Sequence, residues 1–197
     1  MIADIVVYDG TDELDVFGPV EVLRSAAELG GAVVARIVTR TAQDCVTSAH
    51  GVRFHPDGVL GDRPCDVLIV TGGSWLTRAS VGAWGEVQRG DLLTAIAEAS
   101  AQTRITASVC TGTMLLAHAG IIGTRRAVTH HTAWDELVAL GAQLVPERVV
   151  DDGDLVTAGG VTSGIDLALW LVERELGEEL AEQVADRMEY ARFVPGR

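Results

Sequence analysis

Strand-like and helix-like segments alternate along almost the whole chain, and this order leaves few folds open to it. The predicted strands are short apolar runs at 2–8, 33–39, 66–70, 104–109, 127–129, 148–150 and 155–157, with a small hairpin over 46–54. The predicted helices cover 16–29, 91–101, 111–120, 134–140, 165–176 and 180–190. Such an order is typical of a doubly wound α/β fold, in which a mainly parallel sheet carries helices on both faces. Ligands of these folds bind at the carboxyl ends of the strands.

Cys110 lies at the junction between a predicted buried strand and a predicted helix, directly before Thr111 and Gly112. A strand that runs straight into a helix in this way predicts a nucleophile elbow, a tight and often strained turn. The unpaired N–H groups and the positive dipole of the helix start are expected to favour a thiolate at Cys110. The alternative is an ordinary core cysteine, because free cysteine is among the most buried residue types. The strand–Cys–Thr–Gly–helix pattern favours a reactive cysteine.

The length, charge and cysteine content of the chain limit the kinds of protein that it can be. At 197 residues, 48% of them hydrophobic, the chain suits one core, so we predict a single domain over 1–197. A net charge of −13 with only 15 Lys and Arg argues against a nucleic-acid partner. No apolar run is long enough for a membrane span, and the first residues lack the pattern of a signal peptide. Together with three cysteines, this predicts a cytoplasmic protein with free thiols.

The same residues argue against a metal site. The chain has no Cys-x-x-Cys pair, and its five histidines do not fall at the usual ligand spacings. Cys45 and Cys65 lack the setting of Cys110, and we expect them to be packing residues.

Four sequence motifs follow predicted strands or begin predicted helices. They are Leu-Asp-Val-Phe-Gly-Pro at 14–19, Thr-Gly-Gly at 71–73, Ser-Val-Cys-Thr-Gly at 108–112, and Thr-Ala-Gly-Gly-Val-Thr-Ser-Gly-Ile-Asp at 157–166. Together they resemble the ThiJ/PfpI superfamily, which has the class I glutamine-amidotransferase-like fold. Within it they are most similar to the isonitrile hydratase branch, over residues 6–190.

The resemblance implies a role for each motif. Cys110 is the expected nucleophile, and Asp15 the expected acid/base, because a partly buried carboxyl near a thiolate has a raised pKa and can deliver a proton. Gly72 and Gly73 can turn two backbone N–H groups toward one point, so they are expected to form an oxyanion hole beside the cysteine. Thr111 is expected to contact substrate through its N–H or hydroxyl. Asp15 also has an alternative reading as part of a solvated acidic loop.

His130 is expected to be a structural residue that supports the catalytic side chains without contacting the substrate. Protease-like members of the superfamily have a histidine directly after the cysteine, but this chain has Thr111 there. The hydratase branch usually has His-Trp where this chain has His130 and His131. The resemblance also implies a homodimer and no metal or organic cofactor.

The expected activity is the hydration of an isonitrile, a small-molecule substrate, to an N-substituted formamide through a thioimidate on Cys110. Three alternatives stay open. The first is a non-enzymatic sensor of oxidation at Cys110, and the second is a glyoxalase-like or deglycase-like enzyme. The third is the ligand-binding domain of a transcription regulator, which the acidic charge and the chain end at Arg197 disfavour.

Overall fold

A computed structural model describes residues 1–196 of the chain. The strands are β1 (Ile2–Val6), β2 (Val34–Thr39), β3 (Val46–Thr47), β4 (Arg53–Phe54), β5 (Gly58–Val59), β6 (Val67–Val70), β7 (Ile105–Val109), β8 (Arg126–Ala127), β9 (Gln143–Leu144), β10 (Val149–Asp151) and β11 (Leu155–Ala158). The α-helices are α1 (Glu13–Glu28), α2 (Ala83–Arg89), α3 (Asp91–Ser100), α4 (Gly112–His118), α5 (Trp134–Ala139), α6 (Ser163–Leu176) and α7 (Glu178–Arg187), and a 3₁₀ turn covers His131–Ala133.

Seven strands form the main sheet in the order β10-β11-β7-β6-β1-β2-β5. Every neighbouring pair is parallel except β10 and β11, which are antiparallel. Two small sheets, β3 with β4 and β8 with β9, lie outside it. The predicted doubly wound, mainly parallel α/β fold is therefore confirmed.

Each face of the main sheet carries its own apolar core. Helices α1, α6 and α7 pack on one face, and α2, α3, α4 and α5 pack on the other. In β1, Ile5 contributes to the first core and its neighbour Val6 to the second, and both side chains are fully buried. A strand covered on both faces is buried along its whole length, which is why β6 and β7 are buried at every residue rather than at alternate ones.

Several predicted boundaries differ from the observed ones. Helix α1 begins at Glu13 rather than at 16, because the Asp12 side chain accepts the Leu14 N–H (3.1 Å) and caps the helix. Pro19 consequently lies inside the helix instead of in its first turn. The strand predicted at 127–129 is shorter, and the Val128 N–H donates to a threonine hydroxyl rather than to a strand ladder. The hairpin predicted at 46–54 is confirmed as β3 and β4, whereas α2, β5 and β9 were not predicted.

The parallel pairing brings four segments to one edge of the sheet. The residues after β1, β6, β7 and β11 all leave the sheet at its carboxyl end, since these strands are parallel neighbours. The four motifs singled out in the sequence are on those segments or begin the helices that follow them. Among residues 1–196, none of the helices combines the length and apolar character that a membrane span requires.

Candidate active site

The turn between β7 and α4 has the geometry of a nucleophile elbow. Cys110 has a φ of +55°, in the left-handed region that residues with a side chain seldom adopt. Its N–H donates to the Gly159 carbonyl (2.8 Å), and its carbonyl accepts from the Thr129 hydroxyl (2.9 Å). A Cβ atom on Gly112 would overlap the Val70 carbonyl oxygen, so the helix start needs glycine there. These contacts hold the cysteine in a strained conformation at the sheet edge.

The thiol of Cys110 lies in the interior and is only 6% exposed. Backbone N–H groups of Val161 and Thr111 donate toward the sulfur and favour the thiolate. Burial and then the charge of Asp15 act in the opposite direction and prevail, so the pKa of the Cys110 thiol is raised. The expectation of a thiolate stabilised by the helix start is therefore wrong for this resting site. The desolvation of the buried sulfur outweighs the two N–H groups that favour the thiolate.

Asp15 lies in the first turn of α1 and is completely buried. Its Oδ2 atom accepts the Gly72 N–H (2.9 Å), whereas Oδ1 has no regular hydrogen-bond partner among residues 1–196. The carboxyl also interacts with the thiol of Cys110. Burial, and then the charge of Asp12, raise the pKa of Asp15 well above its ordinary value, although the contacts with Gly72 and Cys110 oppose the change. A carboxyl in this environment keeps a proton at a higher pH than a surface aspartate does.

Gly72 and Gly73 lie beside the cysteine, as expected, but their N–H groups are already engaged. The Gly72 N–H donates to Asp15, and the Gly73 N–H donates to the Thr111 hydroxyl (3.0 Å). The two glycines do not form the free oxyanion hole that the sequence predicts. Instead they hold the side chains of the acid and of Thr111, and a Cβ on Gly72 would come within 2.5 Å of the Thr111 nitrogen. The N–H groups that meet the sulfur come from Thr111 and Val161.

His130 lies in the wall of the site and has no hydrogen bond to Cys110 or Asp15 in the described chain. Its Nδ1 atom pairs with the Thr132 hydroxyl (2.9 Å), and its ring lies against that of His131, with centroids 4.4 Å apart. Burial and then the neighbouring His131 lower the pKa of His130, which favours the neutral ring. The sequence expectation placed His130 behind the reacting groups, whereas the structure has it bordering the cavity.

A cavity of about 180 Å³ opens above Cys110. Its walls combine apolar and polar groups, from Asp12, Gly73, Ser74, Trp75, Leu76, Thr77, Cys110, Thr111, His130, Thr132 and Val161. A larger cavity of about 330 Å³ lies near the ends of β1 and β2, but within the described chain neither Cys110 nor Asp15 lines it. Cys110 therefore borders a cavity at the elbow, whereas the fully buried Asp15 does not line it.

Val161 is the main site residue that sequence reasoning missed. It follows the Gly159–Gly160 pair at the end of β11, and its N–H points at the Cys110 sulfur. The glycine pair directly before a helix start was a usable signal for such an anion-binding turn.

One group of potential metal ligands lies near the site. Oxygen and nitrogen atoms of Asp12, Glu13 and the exposed His50 approach one another within 4.8 Å. The Glu13 carboxylate already accepts hydrogen bonds from Ser48 and from the backbone and ring of His50 (2.8 and 2.6 Å to His50). These contacts account for the cluster by tying the β3–β4 hairpin to the start of α1. The absence of a metal requirement stays a prediction.

Comparison with known proteins agrees with this geometry. The DJ-1/PfpI family pattern matches residues 2–174. The chain is 37% identical over 189 residues to the isonitrile hydratase of Pseudomonas putida, covering 95% of this chain and 78% of that protein. It is 27% identical to the Parkinson disease protein 7 homolog of Danio rerio, covering 91% of this chain and 92% of that protein.

A solved structure extends the comparison to three dimensions. A ThiJ/PfpI family protein from Pseudomonas syringae is 28% identical and superposes with a TM-score of 0.85, covering 98% of this chain and 76% of that one. The resemblance to the ThiJ/PfpI superfamily is thus confirmed by sequence and by fold, and the chain belongs to the DJ-1/PfpI family.

Proposed function

We propose that this protein hydrates an isonitrile, R–N≡C, to the N-substituted formamide, with Cys110 as nucleophile and Asp15 as proton carrier. The observation that supports it most is the buried Asp15 carboxyl in contact with the Cys110 thiol. The identity of 37% with the Pseudomonas putida isonitrile hydratase supports an isonitrile as the substrate. Since the terminal isonitrile carbon is attacked by a sulfur and must also gain a proton, it needs a nucleophile and an acid side by side.

The pair starts with one proton shared between the sulfur and the carboxyl. Burial raises the pKa of both groups, so the pair does not easily lose this one proton to solvent. As substrate enters, the Cys110 sulfur bonds to the isonitrile carbon and Asp15 delivers the shared proton to that carbon. The product of this step is a thioimidate, Cys110–S–CH=N–R, beside a carboxylate.

Water completes the reaction. The Asp15 carboxylate takes a proton from water as the oxygen bonds to the thioimidate carbon, and returns that proton to the nitrogen. The tetrahedral adduct then collapses: the carbon–sulfur bond breaks, a C=O bond forms, and the hydroxyl proton goes back to the pair. One isonitrile and one water give one formamide, with no metal or organic cofactor in the sequence of steps.

Two backbone amides have a role in this scheme. The Val161 and Thr111 N–H groups stabilise negative charge on the sulfur when it attacks and again when it leaves. Gly72 and Gly73 keep the acid and the Thr111 hydroxyl in place. The neutral His130 ring borders the cavity without competing for the shared proton.

The direct test is turnover of a panel of alkyl and aryl isonitriles by the pure protein, with formamide measured by mass spectrometry. Cys110→Ala protein gives the uncatalysed background. Methylglyoxal, followed by lactate formation, tests the glyoxalase-like alternative in the same experiment. Formamide formation no faster than with Cys110→Ala would contradict the proposal.

A redox sensor is the second candidate, and one observation favours it. The two N–H groups at the sulfur suit the oxygens of an oxidised cysteine as well as a thiolate. Two equivalents of hydrogen peroxide would each transfer one oxygen to Cys110 and leave as water, giving a sulfinic acid. Stable sulfinate in a protein inert to every isonitrile would favour this candidate.

The homodimer and the cytoplasmic location stay proposals that rest on the resemblance and on composition. Light scattering in solution tests the first, and a mass equal to one chain would contradict it.

A further inference from the structure

Asp166, in the first turn of α6, is a completely buried carboxylate whose partners come from two other segments, one before β10 and one after α7. Its Oδ2 atom accepts from Arg148 Nε (2.7 Å) and from the Tyr190 hydroxyl (3.0 Å). Its Oδ1 atom accepts the Phe193 N–H (2.8 Å). A buried charge persists only with such partners, and removing one of them leaves the other uncompensated.

Arg148 connects this buried carboxylate to the turn that carries Val161. Its side chain donates to the Thr162 hydroxyl (3.2 Å) at one end of the turn. Its backbone carbonyl accepts the Gly159 N–H (2.9 Å) at the other end. We call residues 159–162 the β11–α6 turn, and Arg148 holds both of its ends.

The β11–α6 turn in turn meets the reactive cysteine at two points. The Gly159 carbonyl accepts the Cys110 N–H (2.8 Å), and the Val161 N–H donates toward the Cys110 sulfur. Val161 has a φ of +21°, which is a rare conformation for a β-branched residue. Strain of this kind persists where the surroundings hold the backbone in place.

We propose that Arg148 is a positioning residue: anchored on Asp166, it fixes the β11–α6 turn so that the Val161 N–H stays aimed at the Cys110 sulfur. Arg148 does not itself line the cavity above Cys110. The inference rests on Cys110 being the reactive group of the proposed function, but not on the identity of the substrate.

Other titratable groups also lie near the sulfur, and the test must leave them unchanged. Asp15 and Asp12 act on the sulfur from α1 and its cap, Tyr8 interacts with it from beyond β1, and His130 borders the same cavity. None of these groups is altered by the substitutions below.

The test is the rate at which iodoacetamide alkylates Cys110, followed by mass spectrometry of the Cys110 peptide from about pH 7 to about pH 10. Arg148→Lys keeps a positive charge beside Asp166 but loses the forked reach to Thr162. Thr162→Val keeps the Arg148–Asp166 pair and removes only the hydroxyl. Arg36→Lys is the matched control, because Arg36 pairs with the buried Asp4 (2.6 Å) in β1.

Arg148→Lys is expected to slow alkylation at a given pH about tenfold and to move the profile up by about one pH unit, the effect of losing one hydrogen bond to a charged atom. Thr162→Val is expected to move the alkylation profile in the same direction by a smaller amount, and to keep the wild-type melting temperature. Arg36→Lys should leave the alkylation profile unchanged.

An Arg148→Lys rate equal to the wild-type rate, or equal to that of Arg36→Lys, would overturn the proposal. If Arg148→Lys does not fold, the test rests on Thr162→Val. A wild-type pH profile of Cys110 alkylation in Thr162→Val would then contradict the proposed link through the β11–α6 turn. Because no turnover is measured, a protein inert to isonitriles can still show the shift, which separates this inference from the proposed function.

Discussion

Burial, and after it the charge of the Asp15 carboxyl, raises the pKa of the Cys110 thiol, and these two side chains lie 0% and 6% exposed in contact with each other. The two groups therefore titrate as a pair rather than as independent residues. A thiol with a raised pKa attacks as a nucleophile only when a neighbouring group accepts its proton.

Replacing the sulfur removes the covalent path. Cys110→Ser and Cys110→Ala are expected to lower the hydration rate by at least about a thousandfold, as loss of a nucleophile does in other enzymes. Circular dichroism and thermal melting should show that both variants fold. Cys45→Ser and Cys65→Ser are the matched controls, since neither residue lines the cavity above Cys110, and they should keep most of the activity. If Cys110→Ser hydrated the isonitrile at the wild-type rate, covalent catalysis at this residue would be excluded.

The pairing also predicts how the thiol responds when the charge of Asp15 is removed. Because that charge raises the pKa of Cys110, Asp15→Asn should lower this pKa and speed iodoacetamide alkylation of Cys110 at about pH 8. Wild-type Cys110 should alkylate with a profile that lies above the ordinary cysteine pKa of about 8.5. Peptide mapping identifies the labelled residue. Slower alkylation in Asp15→Asn would mean that the carboxyl stabilises the thiolate, contrary to this account.

A substitution at Gly112 tests how closely the start of α4 packs against the end of β6. Gly112→Ala would place a methyl group against the Val70 carbonyl oxygen and should destabilise the protein by about 1–3 kcal/mol, the usual cost of overpacking. Urea denaturation measures this free energy of unfolding. Gly58→Ala is the matched control, because no atom lies within 4 Å of the added Cβ. Equal stability of the two variants would show that the elbow relaxes without cost.

The contact between Glu13 and the hairpin should appear in the acid stability of the protein. Burial would raise the pKa of Glu13, but hydrogen bonds from Ser48 and His50 prevail and lower it from 4.5 to about 2. A lowered folded-state pKa contributes stability above the unfolded value and loses it as the pH falls toward the folded value. The stability difference between wild type and Glu13→Gln should therefore be full above about pH 4.5 and vanish near pH 2.

Glu21→Gln is the control, because Glu21 is exposed further along α1. A difference for Glu13→Gln that did not change across this pH range would contradict the assignment of these hydrogen bonds to Glu13.

Local pattern was enough to predict the fold. The strand β6 is an unbroken apolar run, and β1 and β7 are mostly apolar, and such runs require cover on both faces of the sheet. The position of Cys110 between strand and helix likewise predicted the elbow that its φ of +55° now shows.

Properties that depend on several segments at once could not be predicted from pattern. The pKa of Cys110 depends on how completely β7, α1 and the β11–α6 turn exclude water, which no local motif records. The N–H groups of Gly72 and Gly73 found partners in Asp15 and Thr111, and only the assembled sheet edge shows this. A solvated loop stayed open as an alternative for the three acidic residues from Asp12 to Asp15 because the capping role of Asp12 was not recognised.

The most direct test of the central claim compares formamide production by wild type, Asp15→Asn and the control Glu21→Gln under the same saturating isonitrile. Asp15 must move a proton in each half of the reaction, so Asp15→Asn should lower the rate at least about a hundredfold, as loss of a general acid/base does. Glu21→Gln should retain the wild-type rate. An Asp15→Asn rate equal to that of Glu21→Gln would show that the buried carboxyl does not carry the proton, and would contradict the account.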